Sequence, residues 1–236
     1  MCLAVRKNAP ARSRLCRPER DYMGDYDLVA IGASAGGVEA LRKLVRSFPR
    51  DFPAAVLVVL HLPPWHTSNL PELLGHESLL PAAFPSFDER IDPARIYVAP
   101  PDRHMVVEDG RVQLWRGPKE DRQRPSINAL FRSVAVSHGQ RAVGVVLTGS
   151  LDDGSAGLWW IKKYGGVAIV QDPADAAFPG MAQSALEYVD VDYVVPLSEI
   201  GDLLVGLAGR GKWPNSGAAR LPEARKIHSI SKQEEE

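Results

Sequence analysis

Cysteine is nearly absent from this chain of 236 residues, which holds two, Cys2 and Cys16. Both lie near the N-terminus, so neither a disulfide framework nor a cysteine-based metal site is expected. No apolar run reaches the roughly 18 residues of a membrane-spanning helix, and no membrane insertion is expected. Met1–Val5 is too short for the apolar region of a signal peptide. Charge of one sign is not in excess, since 28 Lys and Arg face 29 Asp and Glu for a net charge of −1. The chain therefore lacks the basic surplus with which nucleic-acid binders neutralise phosphates, and no nucleic-acid partner is expected. No internal repeat is visible. What remains is ordinary for a globular protein: 45% hydrophobic and 24% charged residues.

The ends differ from the middle. Residues 1–25 carry Arg6, Lys7, Arg12, Arg14, Arg17 and Arg20 against few acids and show no apolar period. They are expected to be a disordered basic arm. Residues 209–236 mix Gly, Pro, Ser and charge, end in Glu234-Glu235-Glu236 and read as a disordered tail. One folded domain is expected between them, over residues 26–208.

That domain alternates between two patterns. Leu28–Ile31, Ala55–Leu60, Ile96–Ala99, Val143–Leu147, Val167–Val170 and Tyr193–Val195 are short runs, apolar at nearly every position. Strands buried on both faces of a parallel sheet have this composition. Helix-like stretches separate or follow them: Val38–Phe48, Asn69–Leu80, Ser126–Ser137, Ala156–Tyr164, Met181–Tyr188 and Glu199–Leu207. The alternation predicts an α/β fold, a doubly wound and mainly parallel sheet with helices on both faces in three αβα layers. His104–Glu108 and Arg111–Trp115 flank Asp109-Gly110, which predicts one antiparallel hairpin attached to that sheet.

Ligands of such sheets bind beyond the carboxyl ends of the strands, so the residues there carry the functional signal. Gly32-Ala33-Ser34-Ala35-Gly36-Gly37 follows the first strand. It lacks the G-x-G-x-x-G of dinucleotide loops and the Lys of a Walker loop. It fits G-x-S-x-G between strand and helix, a turn that exposes a serine hydroxyl. It also fits a purely structural loop in which glycines permit close packing. His61 directly follows the second strand, where an imidazole could serve a serine as general base. Asp152 and Asp153 follow the run ending at Leu147, where one carboxylate could cap a helix and the other orient the histidine. Ser, His and Asp thus fall on one edge of one sheet. Their chain order differs from the Ser, Asp/Glu, His order of the α/β-hydrolases.

With these motifs the sequence resembles the catalytic domain of the CheB-type chemotaxis methylesterases from about Tyr26 to Leu204. The resemblance rests on Ile31–Gly37, His61-Leu62-Pro63, Ala99-Pro100-Pro101-Asp102-Arg103-His104-Met105, Arg124-Pro125-Ser126-Ile127 with Leu130-Phe131, and Leu147-Thr148-Gly149 through Asp153-Gly154. It implies a protein-glutamate methylesterase, a carboxylic ester hydrolase that can also deamidate glutamines, with chemoreceptor signalling helices as protein substrate in the cytoplasm. It implies Ser34 as nucleophile, His61 as base and Asp153 as orienter, with no metal and no organic cofactor. Asp152 falls on a variable position and takes no catalytic role. The main-chain N–H groups of Ala35, Gly36 and Gly37 are placed to hold an oxyanion at a helix start. Arg122 and Arg124 are candidates for docking an acidic receptor helix, beside a plain surface role.

The chain departs from the family pattern at Ala35, at Leu60 and Leu62 around the histidine, and at Ser150 and Leu151, where the pattern has Met and Gly. These departures bear on rate and specificity more than on reaction type. They leave open a weakly active or inactive binding module, or a serine esterase or amidase with another substrate. The roughly 25 residues ahead of the first strand are too few for the receiver domain that many relatives carry, so any control is expected from separate regulatory proteins, from the tails or from expression. His66, His76, His104 and His138 show no metal-ligand spacing and are expected to be structural or on the surface. Trp159-Trp160 is expected to serve core and interface packing rather than as a platform for a ligand.

Overall fold

Six apolar runs become strands because each can be covered on both sides. In the computed structural model, which describes residues 26–62 and 68–209, β1 (Leu28–Ala33), α1 (Gly37–Val45), β2 (Ala55–Leu60), α2 (Leu70–Glu77), β3 (Ala82–Ala83), β4 (Glu89–Arg90) and β5 (Ile96–Val98) come first. They are followed by β6 (His104–Glu108), β7 (Arg111–Trp115), α3 (Ile127–His138), β8 (Ala142–Val146), α4 (Ser155–Lys163), β9 (Val167–Gln171), α5 (Gly180–Tyr188), β10 (Tyr193–Val195) and α6 (Leu197–Ala208). The expected basic arm, the tail beyond Gly209 and His66 lie outside the described residues.

A seven-stranded sheet runs in the order β10-β9-β8-β1-β2-β5-β3, with every pairing parallel. Side chains alternate between its faces. Val56, Val58 and Leu60 of β2 join Leu41 and Leu44 of α1, Leu74 of α2 and Leu203 of α6. Ala55, Leu57 and Val59 join Leu130 and Phe131 of α3, Leu158 of α4 and Met181 of α5 on the other face. Both faces are thus dry, and each fully buried Val, Leu or Phe contributes about 1.5–3 kcal/mol. From β1 the chain builds outward through β2 to the β3 edge, then returns to lay β8 on the opposite side of β1. This reversal opens a crevice at the carboxyl ends of β1 and β8.

The hairpin forms at the expected residues, with Asp109 and Gly110 both at positive φ, 49° and 71°. It does not extend the parallel sheet. It pairs with β4 in a separate three-stranded antiparallel sheet and is fastened to α3, where Ser133 Oγ accepts from Val107 N at 3.0 Å. Met105, Val107 and Val112 bury its inner face against α3.

At the opposite rim, burial holds the His138 imidazole below its usual pKa, with Arg141 adding to the shift and Asp27 opposing it. Its Nδ1 and the nearby Asp27 Oδ1 are buried without hydrogen-bond partners among the described residues, while Asp27 Oδ2 pairs with Arg141. The unfolded chain takes up a proton near pH 6.5 that the folded His138 resists. Stability is therefore full above that value and falls as the pH drops below it, until folded His138 itself protonates. His138→Gln should flatten the loss of urea midpoint between about pH 7.5 and 5.5 relative to the parent chain, and equal losses in both proteins would contradict this.

Candidate active site

Register brings the first two functional side chains together. Ala33 of β1 lies opposite Leu60 of β2, so the next residues on each strand, Ser34 and His61, leave the sheet side by side. The ladder continues past the strand ends. His61 N donates to Ala33 O at 3.2 Å, Leu147 N to Gly32 O at 2.9 Å and Ser34 N to Thr148 O at 3.0 Å. The chain then turns sharply, with Gly37 N donating to Ser34 O at 2.8 Å. Gly36 makes the turn at φ 74°, where a Cβ would also crowd Ala177, Phe178 and Thr148 at 3.2–3.3 Å. Thr148 Oγ1 donates to Ala35 O at 3.0 Å and accepts from Phe178 N at 2.9 Å, which ties the serine turn to the loop before α5.

Ser34, His61 and Asp153 form a connected chain. Ser34 Oγ lies 3.2 Å from His61 Nδ1, and His61 Nε2 lies 2.7 Å from Asp153 Oδ2. An ionised carboxylate only accepts, so Nε2 carries the imidazole proton and Nδ1 presents its lone pair to the serine hydroxyl. The ring nitrogens exchange the places they hold in the serine-protease arrangement. Either nitrogen can act as the base, so the polarity of the chain from acid to base to hydroxyl is kept. Side-chain exposure is 9% for His61 and 3% for Asp153, while Ser34 is half-buried at the end of β1.

Asp153 is held by the start of a neighbouring helix. Oδ1 accepts from Ser126 Oγ at 3.2 Å and Asn128 N at 2.8 Å, and Oδ2 accepts from Ile127 N at 2.8 Å besides the imidazole. These donors are the N-cap and first turn of α3, where unpaired N–H groups and the helix dipole favour an anion. Ser126 Oγ also accepts from Ala129 N at 3.3 Å. Neither Asp152 nor Asp153 caps α4, whose N-cap is Gly154 with no side-chain bond. Asp153 instead caps α3 from across the cleft, and exposed Asp152 stays clear of the triad.

Two residues outside the triad make this possible. A Cβ at Gly32 would meet Ile127 Cγ2 at 2.4 Å, so glycine lets the start of α3 lie against β1. Asn128 braces the acid loop, its Oδ1 accepting from Gly154 N at 3.0 Å and Gly157 N at 2.6 Å, and its Nδ2 donating to Asp121 Oδ2 at 2.6 Å. Gly32→Ala should push α3 outward, cost about 1–3 kcal/mol by overpacking and lower turnover by loosening the hold on Asp153. Urea unfolding and steady-state rates of that variant check this; an unchanged urea midpoint would refute it.

The other site expectations fare differently. Gly37 N–H is committed to Ser34 O, so its place as an oxyanion donor is withdrawn. Among the described residues no acceptor engages the N–H of Ala35 or Gly36. Arg124 is also spent. Its Nε and Nη2 bond Asp102 Oδ1 at 2.8 and 2.5 Å, and Nη1 bonds Gly117 O at 2.6 Å. This half-buried brace, which holds the Asp102 carboxyl below its usual range with help from Arg116, corrects the expectation of a docking role for Arg124. Arg122 is exposed and pairs with no carboxylate among the described residues. Leu151 stands where the family pattern has glycine and still keeps the left-handed conformation, at φ 68°, with its side chain exposed. His104 is buried, its Nε2 donating to Pro118 O at 2.8 Å. Among the described residues no group of His, Cys, Asp and Glu side chains could hold a metal ion, and no helix is long and apolar enough to cross a membrane.

Known proteins resemble this chain in sequence and fold. The sequence model described as CheB methylesterase matches residues 29–204. A protein-glutamate methylesterase/protein-glutamine glutaminase from Methanosarcina mazei is 39% identical over 79% of this chain and 53% of its own length. One from Anaeromyxobacter dehalogenans is 41% identical over 74% of this chain and 51% of its own. The chain thus spans about half the length of these relatives. The crystal structure of the Thermotoga maritima CheB methylesterase catalytic domain superposes with a TM-score of 0.74 at 32% identity, covering 77% of this chain and 98% of that one.

Proposed function

From the membership of this chain in the CheB methylesterase family, we infer that it hydrolyses glutamate γ-methyl esters in proteins, with methylated chemoreceptors as substrate. The observation that carries this reading is the continuous chain from Ser34 Oγ through His61 to Asp153, at 3.2 and 2.7 Å. His61 Nδ1 takes the hydroxyl proton as Ser34 Oγ attacks the ester carbonyl. The oxygen that becomes negative is received by the N–H groups of Ala35 and Gly36 at the start of α1. His61 returns the proton to the departing methoxide, methanol leaves, and a glutamyl ester of Ser34 remains. Water, deprotonated by His61, opens that ester to glutamate and restores the serine. A glutamine side chain offers the same carbonyl with ammonia as leaving group, so deamidation is the accompanying activity. Throughout, Asp153 keeps the imidazole in one tautomer and offsets its positive charge.

Action on the signalling helices of receptors places the protein in the cytoplasm, and exposed Arg122 suits contact with an acidic stretch of such a helix. The test supplies receptor carrying isotopically labelled methyl esters and follows labelled methanol. Release by the parent chain and not by Ser34→Ala supports the reading. Release no faster than from the Ser34→Ala protein sinks it.

A further inference from the structure

Behind the triad lies a second feature that the esterase chemistry does not use. A cavity of about 350 Å³ opens between α4 and α5 and the loop after β8, with Trp159, Trp160, Tyr188, Asp121 and Asp152 among the residues that line it. Asn128, which braces the Asp153 loop, lines it from the side of the active site. Trp159 is 45% exposed and Tyr188 65%, so the aromatic surface continues outside the cavity. Trp160 packs against the core, whereas Trp159 is exposed.

We propose that this cavity is a docking site for an arginine side chain presented by a protein partner. Three observations converge. First, neither Asp121 nor Asp152 meets a Lys or Arg within ion-pair distance among the described residues, whereas Asp102, Glu77, Glu120 and Asp192 are all paired. Two carboxylates without an ion-pair partner among the described residues, Asp121 being hydrogen-bonded to Asn128, set a field beside an aromatic wall for a cation, not for an anion or a neutral sugar. Second, the two indoles already hold a cation in cis, with Lys163 Nζ 4.8 Å from each ring centroid. Lys163 is not among the residues that line the cavity. Third, the cavity is far larger than an ammonium requires. A planar guanidinium can stack on an indole and fork toward carboxylates at the same time, which a point-like ammonium cannot. The exposed parts of Trp159 and Tyr188 call for a surface to cover them, and Trp, Tyr and Arg are the residues that concentrate binding energy at protein interfaces.

The test follows the indole N–H resonances of Trp159 and Trp160 in the full-length protein. The probes are the peptide acetyl-Ala-Arg-Ala-amide, its citrulline counterpart, free arginine and choline. The arginine peptide should shift both resonances with a half-saturation on the order of millimolar. The neutral citrulline peptide should be at least about tenfold weaker. Asp152→Asn should weaken the arginine peptide several-fold, and Trp159→Ala should do so more strongly. No shift up to about 50 mM peptide, equal shifts with citrulline, or an unchanged response in Asp152→Asn would each overturn the site. Free arginine binding as tightly as the peptide would assign the cavity to a small molecule, and choline binding as tightly would remove the guanidinium preference. Either result would overturn the proposal, the first its protein partner and the second its arginine. None of these readouts depends on ester hydrolysis.

Discussion

Asp153→Asn should lower turnover by about 10⁴-fold and cost about 1–3 kcal/mol of stability, although it changes one atom. Each carboxylate oxygen accepts two hydrogen bonds, Oδ1 from Ser126 Oγ and Asn128 N, Oδ2 from His61 Nε2 and Ile127 N. An amide must turn its NH₂ toward one of these pairs. Facing Asn128, it opposes a main-chain N–H that cannot become an acceptor. Facing Ile127 it does the same, and it also drives the imidazole proton from Nε2 to Nδ1. The base would then point an N–H at the serine and could not accept its proton. A buried donor without a partner costs about 1–3 kcal/mol, which sets the stability loss. Turnover is read at a temperature where circular dichroism shows the variant folded, so that the loss measured is catalytic. A variant as active and as stable as the parent would show that Asp153 neither fixes the tautomer nor anchors α3.

This double duty explains which parts of the molecule could be read from its sequence. β2 was legible to the residue because a strand covered on both faces is apolar at each position, and Ala55–Leu60 is buried throughout. β3 and β4 were not. Two residues each, Ala82–Ala83 and Glu89–Arg90, show no period, and they are strands only because Ile96, Tyr97, Arg111 and Val112 lie in register beside them. The hairpin was placed by its Asp-Gly turn, but turn chemistry fixes the pairing of two strands and says nothing about the sheet they join. That Ser34, His61 and the Asp152-Asp153 pair would meet was legible because a parallel sheet aligns its carboxyl ends, so position after a strand is also position in space; the choice of Asp153 over Asp152 came from the family resemblance alone. The support of Asp153 was not legible, since Ile127 and Asn128 act through main-chain N–H groups that every residue but proline carries. Arg124 was misread for the converse reason. Its partners Asp102 and Gly117 O come from other loops, and only folding brings them within reach.

Ser34→Ala should abolish nearly all activity, by about 10⁵–10⁶-fold in kcat, while leaving stability within about 0.5 kcal/mol of the parent. The contrast with Asp153 follows from what each side chain holds. Ser34 Oγ bonds only the His61 ring among the described residues, at 3.2 Å. The turn itself is held by Ser34 N and O, through Thr148 O at 3.0 Å and Gly37 N at 2.8 Å, and alanine keeps both bonds. The N–H groups of Ala35 and Gly36 also stay in place, so a residual acceleration over the uncatalysed reaction should survive. Because Ser34 and His61 act on one proton in one step, removing both should cost little more than removing either. Methanol release from methylated receptor by Ser34→Ala, His61→Ala and the double variant measures this. Losses that multiply in the double variant would mean that the two residues work independently, and the 3.2 Å contact between them would then not be the path of the proton.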